Sequence, residues 1–301
     1  MKLAILLLCH KNAEQINLFL ETLKHPDIEF FIHMDKKADI VDQLIKRPDI
    51  HVLSDNLRVD VRWGEFSQTR ATLNLFLAAR KIKNFDYYWV CSGQDFPIVS
   101  ADKIINYFKE HPQRNFVSLW TSYFYNNRNR KNHYDKRNDL FFPRILMGRS
   151  FIKRLFKRIY IEITGGWNHT YTLFLRSNPF SQLKFFYGPS WVCLSDYFVN
   201  WMFDYLKEYP SYIEYLLNSL NPDESIFQTL LMASPYKNTR HDYLHYIDWS
   251  ERRGKTRNSP NTLTINDYVK IKNSGYLMAR KFDITTDSRI LYKLQENCRM
   301  N

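Results

Sequence analysis

Short segments that are apolar almost throughout alternate with amphipathic ones along the first 120 residues, and this alternation constrains the fold more than any other feature. The segments KLAILLLCH, EFFIHMD, HVLSD, YYWVCSG and NFVSLW have strand length and strand composition. Between them, AEQINLFLETLK, DIVDQLIKR, FSQTRATLNLFLAARKIK and ADKIINYFKEH repeat with a helical period. A strand apolar on both sides must be covered on both sides, and the intervening helices supply the cover. The pattern predicts an α/β chain with a mostly parallel central sheet and helices on both faces. The long helix is expected to take Ser67 as its N-cap. Ligands of such sheets bind at the carboxyl ends of the strands. The segments Cys9–His10–Lys11, Asp35–Lys36–Lys37 and Ser92–Gly93–Gln94–Asp95 are therefore the places to look for a site.

With 301 residues, 45% of them hydrophobic and 25% charged, the chain has the composition of a globular protein with a sizeable core. The net charge of +12 calls for an anionic partner: nucleic acid, a phosphorylated small molecule or an acidic membrane face. Aromatics at 16% suit sugar or base stacking, and equally a plain core. Three of the four cysteines sit inside apolar runs, without a CxxC pair, as reduced buried thiols do. The run from Leu3 to Cys9 is too short for a membrane span and lacks a small-residue cleavage site, so it reads as a buried strand. GxGxxG, a P-loop and HExxH are all missing. The polar aromatic stretch 123–139 reads as a loop.

Two further segments carry chemistry. NPDESIFQTLL (221–231) puts Asp223 and Glu224 at the start of a helix. Asn221 suits the cap, Pro222 the first turn and Glu224 the capping-box position, so a structural role competes with a catalytic one. SFIKRLFKRIYIEI (150–163) gathers Phe151, Ile152, Leu155, Phe156 and Ile159 on one helical face and Lys153, Arg154, Lys157 and Arg158 on the other. That is the pattern of a helix lying in an anionic membrane surface, although the same face could pack on a domain.

The phrases HMDKK, RWGEFSQTRATLNLF, SGQDFPI, YGPSWVCLS, PDESIFQTL, YIDW…NSPNTLT and LMARKFD follow one another between Leu3 and Asp283. In that order they resemble the core-2/I-branching β-1,6-N-acetylglucosaminyltransferase family, which also contains protein O-xylosyltransferases, and a bacterial-type member of it. The resemblance implies one glycosyltransferase-A (Rossmann-like) catalytic domain over 1–301, with a nucleotide-binding half (1–120) and an acceptor-binding, catalytic half (121–301). It implies inverting transfer of a sugar, N-acetylglucosamine or xylose, from a UDP-sugar to a hydroxyl of a saccharide or lipid-linked glycan. No metal or other cofactor is expected. The Asp60 region (RVDVRW) lacks the second aspartate of an Asp-x-Asp motif.

The same resemblance assigns residues. Glu224 becomes the general base, and Asp35, with Lys37 assisting, holds the uridine. His10 and Trp63 line the nucleoside pocket, Asp95 lies beside the donor sugar, and Lys281 with Arg257 neutralises the diphosphate. Arg252, Arg253 and Lys255 stay open as alternatives to Arg257. Trp191 and Trp249 are acceptor-side aromatics. A nucleic-acid-binding protein and a catalytically inactive relative are the competing classes; the first is disfavoured because the cations are scattered and form no recognised module. Lacking a visible anchor or cysteine richness, the chain is expected in the cytoplasm, in possible peripheral contact with the inner membrane face.

Overall fold

The structure is a computed structural model that describes residues 1–120, 150–163, 179–180, 182–250 and 259–300. Its central sheet contains β1 (Leu3–Cys9), β2 (Ile28–Met34), β3 (Ile50–Val52) and β4 (Tyr87–Ser92), all parallel, in the order β3-β2-β1-β4. The order continues through β7 (Cys193–Ser195), β6 (Asn115–Phe116) and β8 (Arg240–His241). β7 runs antiparallel to both β4 and β6, so it is reversed within a mostly parallel sheet, and β6 and β8 run in the direction of β4.

Side-chain alternation in β1 divides the core. Leu3, Ile5, Leu7 and Cys9 point to one face, covered by α1 (Ala13–Thr22), α3 (Ala101–Glu110) and α9 (Ser288–Met300). Ala4 and Leu6 point to the other, covered by α2 (Phe66–Ile82), α5 (Asp196–Glu208), α6 (Pro210–Leu216) and α7 (Ile226–Ala233). Trp89 and Tyr88, neighbours on β4, are fully buried on opposite faces. Each large apolar side chain removed from water in this way contributes about 1.5–3 kcal/mol. The four cysteines are buried and reduced. Helix α4 (Phe151–Ile163) and the short α8 (Tyr268–Lys272) complete the labelled helices.

Several local expectations are corrected. DIVDQLIKR forms only one 3-10 turn, Val41–Gln43, because Asn17 accepts from the Ile45 N–H and donates to the Gln43 carbonyl. Ser67 is not the cap of α2. Glu65 occupies that position without a side-chain cap, and Ser67 Oγ accepts from the Arg62 N–H at 2.8 Å. NFVSLW contributes a two-residue strand. The 123–139 stretch lies outside the described residues.

A second sheet, which the sequence pattern does not predict, sits at the carboxyl end of β4. It joins β5 (Asp95–Pro97), β10 (Met278–Arg280) and β9 (His245–Ile247), with β10 in the middle. Each strand contributes one polar side chain to a buried cluster. Asp95, with no solvent exposure, accepts from Arg280 Nη1 at 2.7 Å, from the Ser92 N–H at 2.7 Å and from Ser92 Oγ at 3.0 Å. His245 Nε2 lies 3.5 Å from Oδ2, the oxygen that accepts the Ser92 N–H. Burial alone would raise the Asp95 pKa, but Arg280 and His245 outweigh it and hold the carboxyl below its usual range. Asp95→Ala leaves the Arg280 guanidinium buried without its counter-charge, and should destabilise the fold by roughly 3–5 kcal/mol in denaturant unfolding. A loss below about 1 kcal/mol would contradict this pairing.

Candidate active site

Three strand ends meet at one edge. The Asp35 N–H donates to the Cys9 carbonyl at 2.8 Å, and the Gly93 N–H donates to the Leu8 carbonyl at 3.0 Å. The segment after β10 crosses this edge and is tied to it four times over. Lys11 Nζ reaches Asp283 Oδ2 at 2.5 Å, and Asn12 Nδ2 reaches Oδ1 at 3.0 Å. The Phe282 N–H donates to the Gln94 carbonyl and the Ile284 N–H to Gln15 Oε1, both at 2.8 Å. Lys281 is thereby placed among the strand-end residues, with its ammonium 3.4 Å from Ser259 Oγ.

His10 registers that grouping. Partial burial and then the charge of Lys11 push its pKa below the ordinary histidine value; Lys281 and Lys37 add to the effect and Asp35 opposes it. His10, Asp35, Lys37 and Lys281, expected on one nucleotide, thus share one electrostatic neighbourhood. Asp35 is buried and its Oδ1 accepts from the Lys37 N–H at 2.9 Å. Lys37 Nζ bridges to Asp60 Oδ1 at 2.5 Å and to the Val61 carbonyl at 2.6 Å. The 59–61 segment is also fixed by a residue that sequence reasoning missed. Buried His33 accepts the Val59 N–H on Nε2 at 2.8 Å, which requires that nitrogen to be unprotonated.

The Pro222–Glu224 turn is the second pole. It is a 3-10 turn preceding α7, and Asn221, in the left-handed region at φ 49°, makes no side-chain cap. The expected capping box is therefore absent. Tertiary contacts set this turn: the Asn221 N–H donates to the Gly64 carbonyl at 3.0 Å and the Gly188 N–H to the Glu224 carbonyl at 2.9 Å. Gly64 has φ +83°, and a Cβ there would come within 3.1 Å of Asn221 Oδ1. At Gly188 a Cβ would fall 2.0 Å from the Ser118 carbonyl oxygen, so only glycine permits this approach. Asp223 is buried and accepts from Gln68 Nε2 at 2.8 Å and Ser190 Oγ at 2.6 Å. Glu224 is half-buried, with Asn221 Nδ2 3.4 Å from Oε2. Asp223 thus ties the turn to α2 and to the segment before β7.

Trp191 connects the two poles. It follows Ser190, which holds Asp223, and its ring lies under the Arg280 guanidinium, 3.8 Å from ring centroid to Cζ. Trp63, exposed, stands in the turn before α2 beside Gly64. Trp249 is likewise exposed, in the segment after β9. That segment is pinned at its base, since the Asn261 N–H donates to the Asp248 carbonyl at 2.8 Å and Asn261 Nδ2 to Asp248 Oδ2 at 3.0 Å. Arg252, Arg253, Lys255 and Arg257 lie outside the described residues.

Asp95 departs from expectation. Its buried carboxylate is occupied by Ser92, Arg280 and His245, so it supports the site from beneath and does not face a donor sugar. Among the described residues, Cys91, Asp95 and His245 form the group of three whose ligand atoms lie within 4.8 Å of one another. A guanidinium already at hydrogen-bond distance from Asp95 and a Cys91 thiol whose pKa burial pushes well up make this an ion-pair core rather than a cation cage.

A family model described as Core-2/I-Branching enzyme matches residues 3–272. The chain is 25% identical over 322 residues to a xylosyltransferase of Ciona intestinalis, covering 97% of this chain and 34% of that relative. It is also 25% identical over 284 residues to beta-glucuronosyltransferase GlcAT14A of Arabidopsis thaliana, covering 87% of this chain and 57% of that relative. A solved galactosyltransferase, LgtC in complex with donor and acceptor sugar analogues, aligns over 97% of this chain and 95% of its own at TM-score 0.44 and 10% identity, too distant a likeness to carry weight.

His33 generates a pH prediction. Burial comes first, and with Arg58 it outweighs the opposing charge of Asp35, so the pKa falls from 6.5 to about 4. Between those values the unfolded chain binds a proton that the folded one refuses. The contribution is therefore whole above pH 6.5 and is lost as pH falls toward 4, up to about 3 kcal/mol. Urea midpoints measured from pH 7 to pH 5 should fall in the wild type and fall less in His33→Gln, whose amide oxygen accepts without titrating. Parallel curves would refute the assignment.

Proposed function

Because the chain belongs to the Core-2/I-Branching enzyme family, we propose that it is a glycosyltransferase moving a sugar from a UDP-sugar to a hydroxyl of a saccharide acceptor, with inversion and without metal. One observation carries this reading: the strand-end group His10, Asp35, Lys37 and Lys281 is linked through Arg280 and Trp191 to the turn that bears Glu224. A nucleotide-sugar needs both poles. Glu224 takes the proton from the acceptor hydroxyl as its oxygen attacks the anomeric carbon, and the bond to the diphosphate breaks on the opposite side. Lys281, with an arginine of the 252–257 segment, offsets the charge that collects on the departing UDP, the task a metal would otherwise perform. Asp35 accepts from the nucleoside, and Trp191 and Trp249 offer ring faces to the acceptor.

The relatives named above are a xylosyltransferase and a glucuronosyltransferase. The donor trials therefore include UDP-xylose, UDP-N-acetylglucosamine and UDP-glucuronic acid. The nucleic-acid alternative rests on the net charge and the aromatic content.

Glu224→Gln should lower kcat by roughly 100-fold or more while UDP binding persists, whereas turnover close to wild type would return Glu224 to a purely structural role. Activity should survive EDTA, and Lys281→Ala should weaken UDP binding far more than acceptor binding. Loss of activity in EDTA that manganese restores would refute the metal-free mechanism.

A further inference from the structure

We propose that helix α4 is a docking face for an anionic lipid bilayer. Five of its apolar residues do not enter the core: Phe151 is 73% exposed, Ile152 64% and Phe156 59%, with Leu155 and Ile159 also open to solvent. Contiguous apolar surface of this kind marks an interaction site. By the helical period these five residues fall on one arc, and Lys153 and Arg154 fall on the opposite one. Arg154 is exposed, and Glu162 is the lone acid of the segment. Ser150 starts the helix by accepting the Lys153 N–H on its Oγ and the Arg154 N–H on its carbonyl.

Charge selects the occupant. A second copy would cover the apolar arc but would leave the cationic arc without an opposite charge, in a chain that already carries +12. A bilayer with anionic headgroups receives the apolar arc between its headgroups and the cations at its surface. No helix among the described residues is long and apolar enough to cross a membrane, so α4 would lie in the interface. This inference goes beyond glycosyl transfer and is read out by binding, so it stands or falls separately from turnover.

The test is sedimentation of the full chain with phosphatidylcholine vesicles and with vesicles containing about one-third phosphatidylglycerol, at low and high salt. The chain should pellet with the anionic vesicles at low salt and be released at high salt. Phe151→Ser/Phe156→Ser and Lys153→Glu/Arg154→Glu should each reduce partitioning about 10-fold or more, with unchanged melting temperature and UDP binding. If the first variant misfolds, the charge variant and the salt series decide. Retention in the supernatant with anionic vesicles overturns the proposal. So does salt-independent binding that neither variant alters, or a dimer that Phe151→Ser/Phe156→Ser dissociates while vesicle binding is absent.

Discussion

Everything at the open edge of the sheet depends on the ion cluster that Asp95 makes with Arg280 and His245. These three residues come from three short strands far apart in sequence, and each strand is too short to hold its neighbours by backbone hydrogen bonds alone. A buried carboxylate and guanidinium each carry a desolvation cost that only a well-placed partner offsets. The cluster therefore fixes register as well as proximity: Arg280 stands opposite Asp95 across β10 and β5, and a slip by one residue would turn Arg280 to the other face. Lys281 is the next residue along the chain and Trp191 stacks on Arg280, so the cation proposed for the donor and the aromatic ring proposed for the acceptor are both set by one buried interaction.

The large sheet is legible in the sequence because its signal is redundant. LAILLLC, EFFIHM and YYWVCS are each apolar over enough residues that no helix or loop competes, and the structure contains them as β1, β2 and β4. The small sheet is not legible, since three-residue strands carry no periodicity and an Asp before Phe–Pro looks like a turn. Helix starts fail for a related reason. Ser67 and Asn221 are good caps by residue type, yet Arg62 claims the first and the Gly64 carbonyl positions the second. Local preferences of about 1 kcal/mol yield to tertiary contacts made in numbers.

The candidate site was legible to a different degree at each residue. His10, Asp35, Lys37 and Lys281 follow strands, and the sheet edge gathers them. For the pair Asp223–Glu224 the sequence allows either anchoring a turn or handling a proton, and the structure gives the anchoring role to Asp223. Gln68 and Ser190 both converge on Asp223. Those two partners lie 155 and 33 residues away, a separation that no local pattern encodes. His33 escaped notice because a histidine inside a strand resembles any other core residue until its ring nitrogen is seen to accept a backbone N–H.

The Asp248–Asn261 clamp has a consequence for how such a scaffold diversifies. By closing the chain on itself with backbone and side-chain hydrogen bonds, it makes the stretch between them a cassette whose two ends are held by Asp248, Ser250 and Asn261. Doubling the length of a closed loop costs only about 0.6 kcal/mol of entropy. Residues there can be exchanged or inserted while β9 and β10 keep their pairing. The stretch can thus change over evolution, or be replaced in the laboratory, without renegotiating the core.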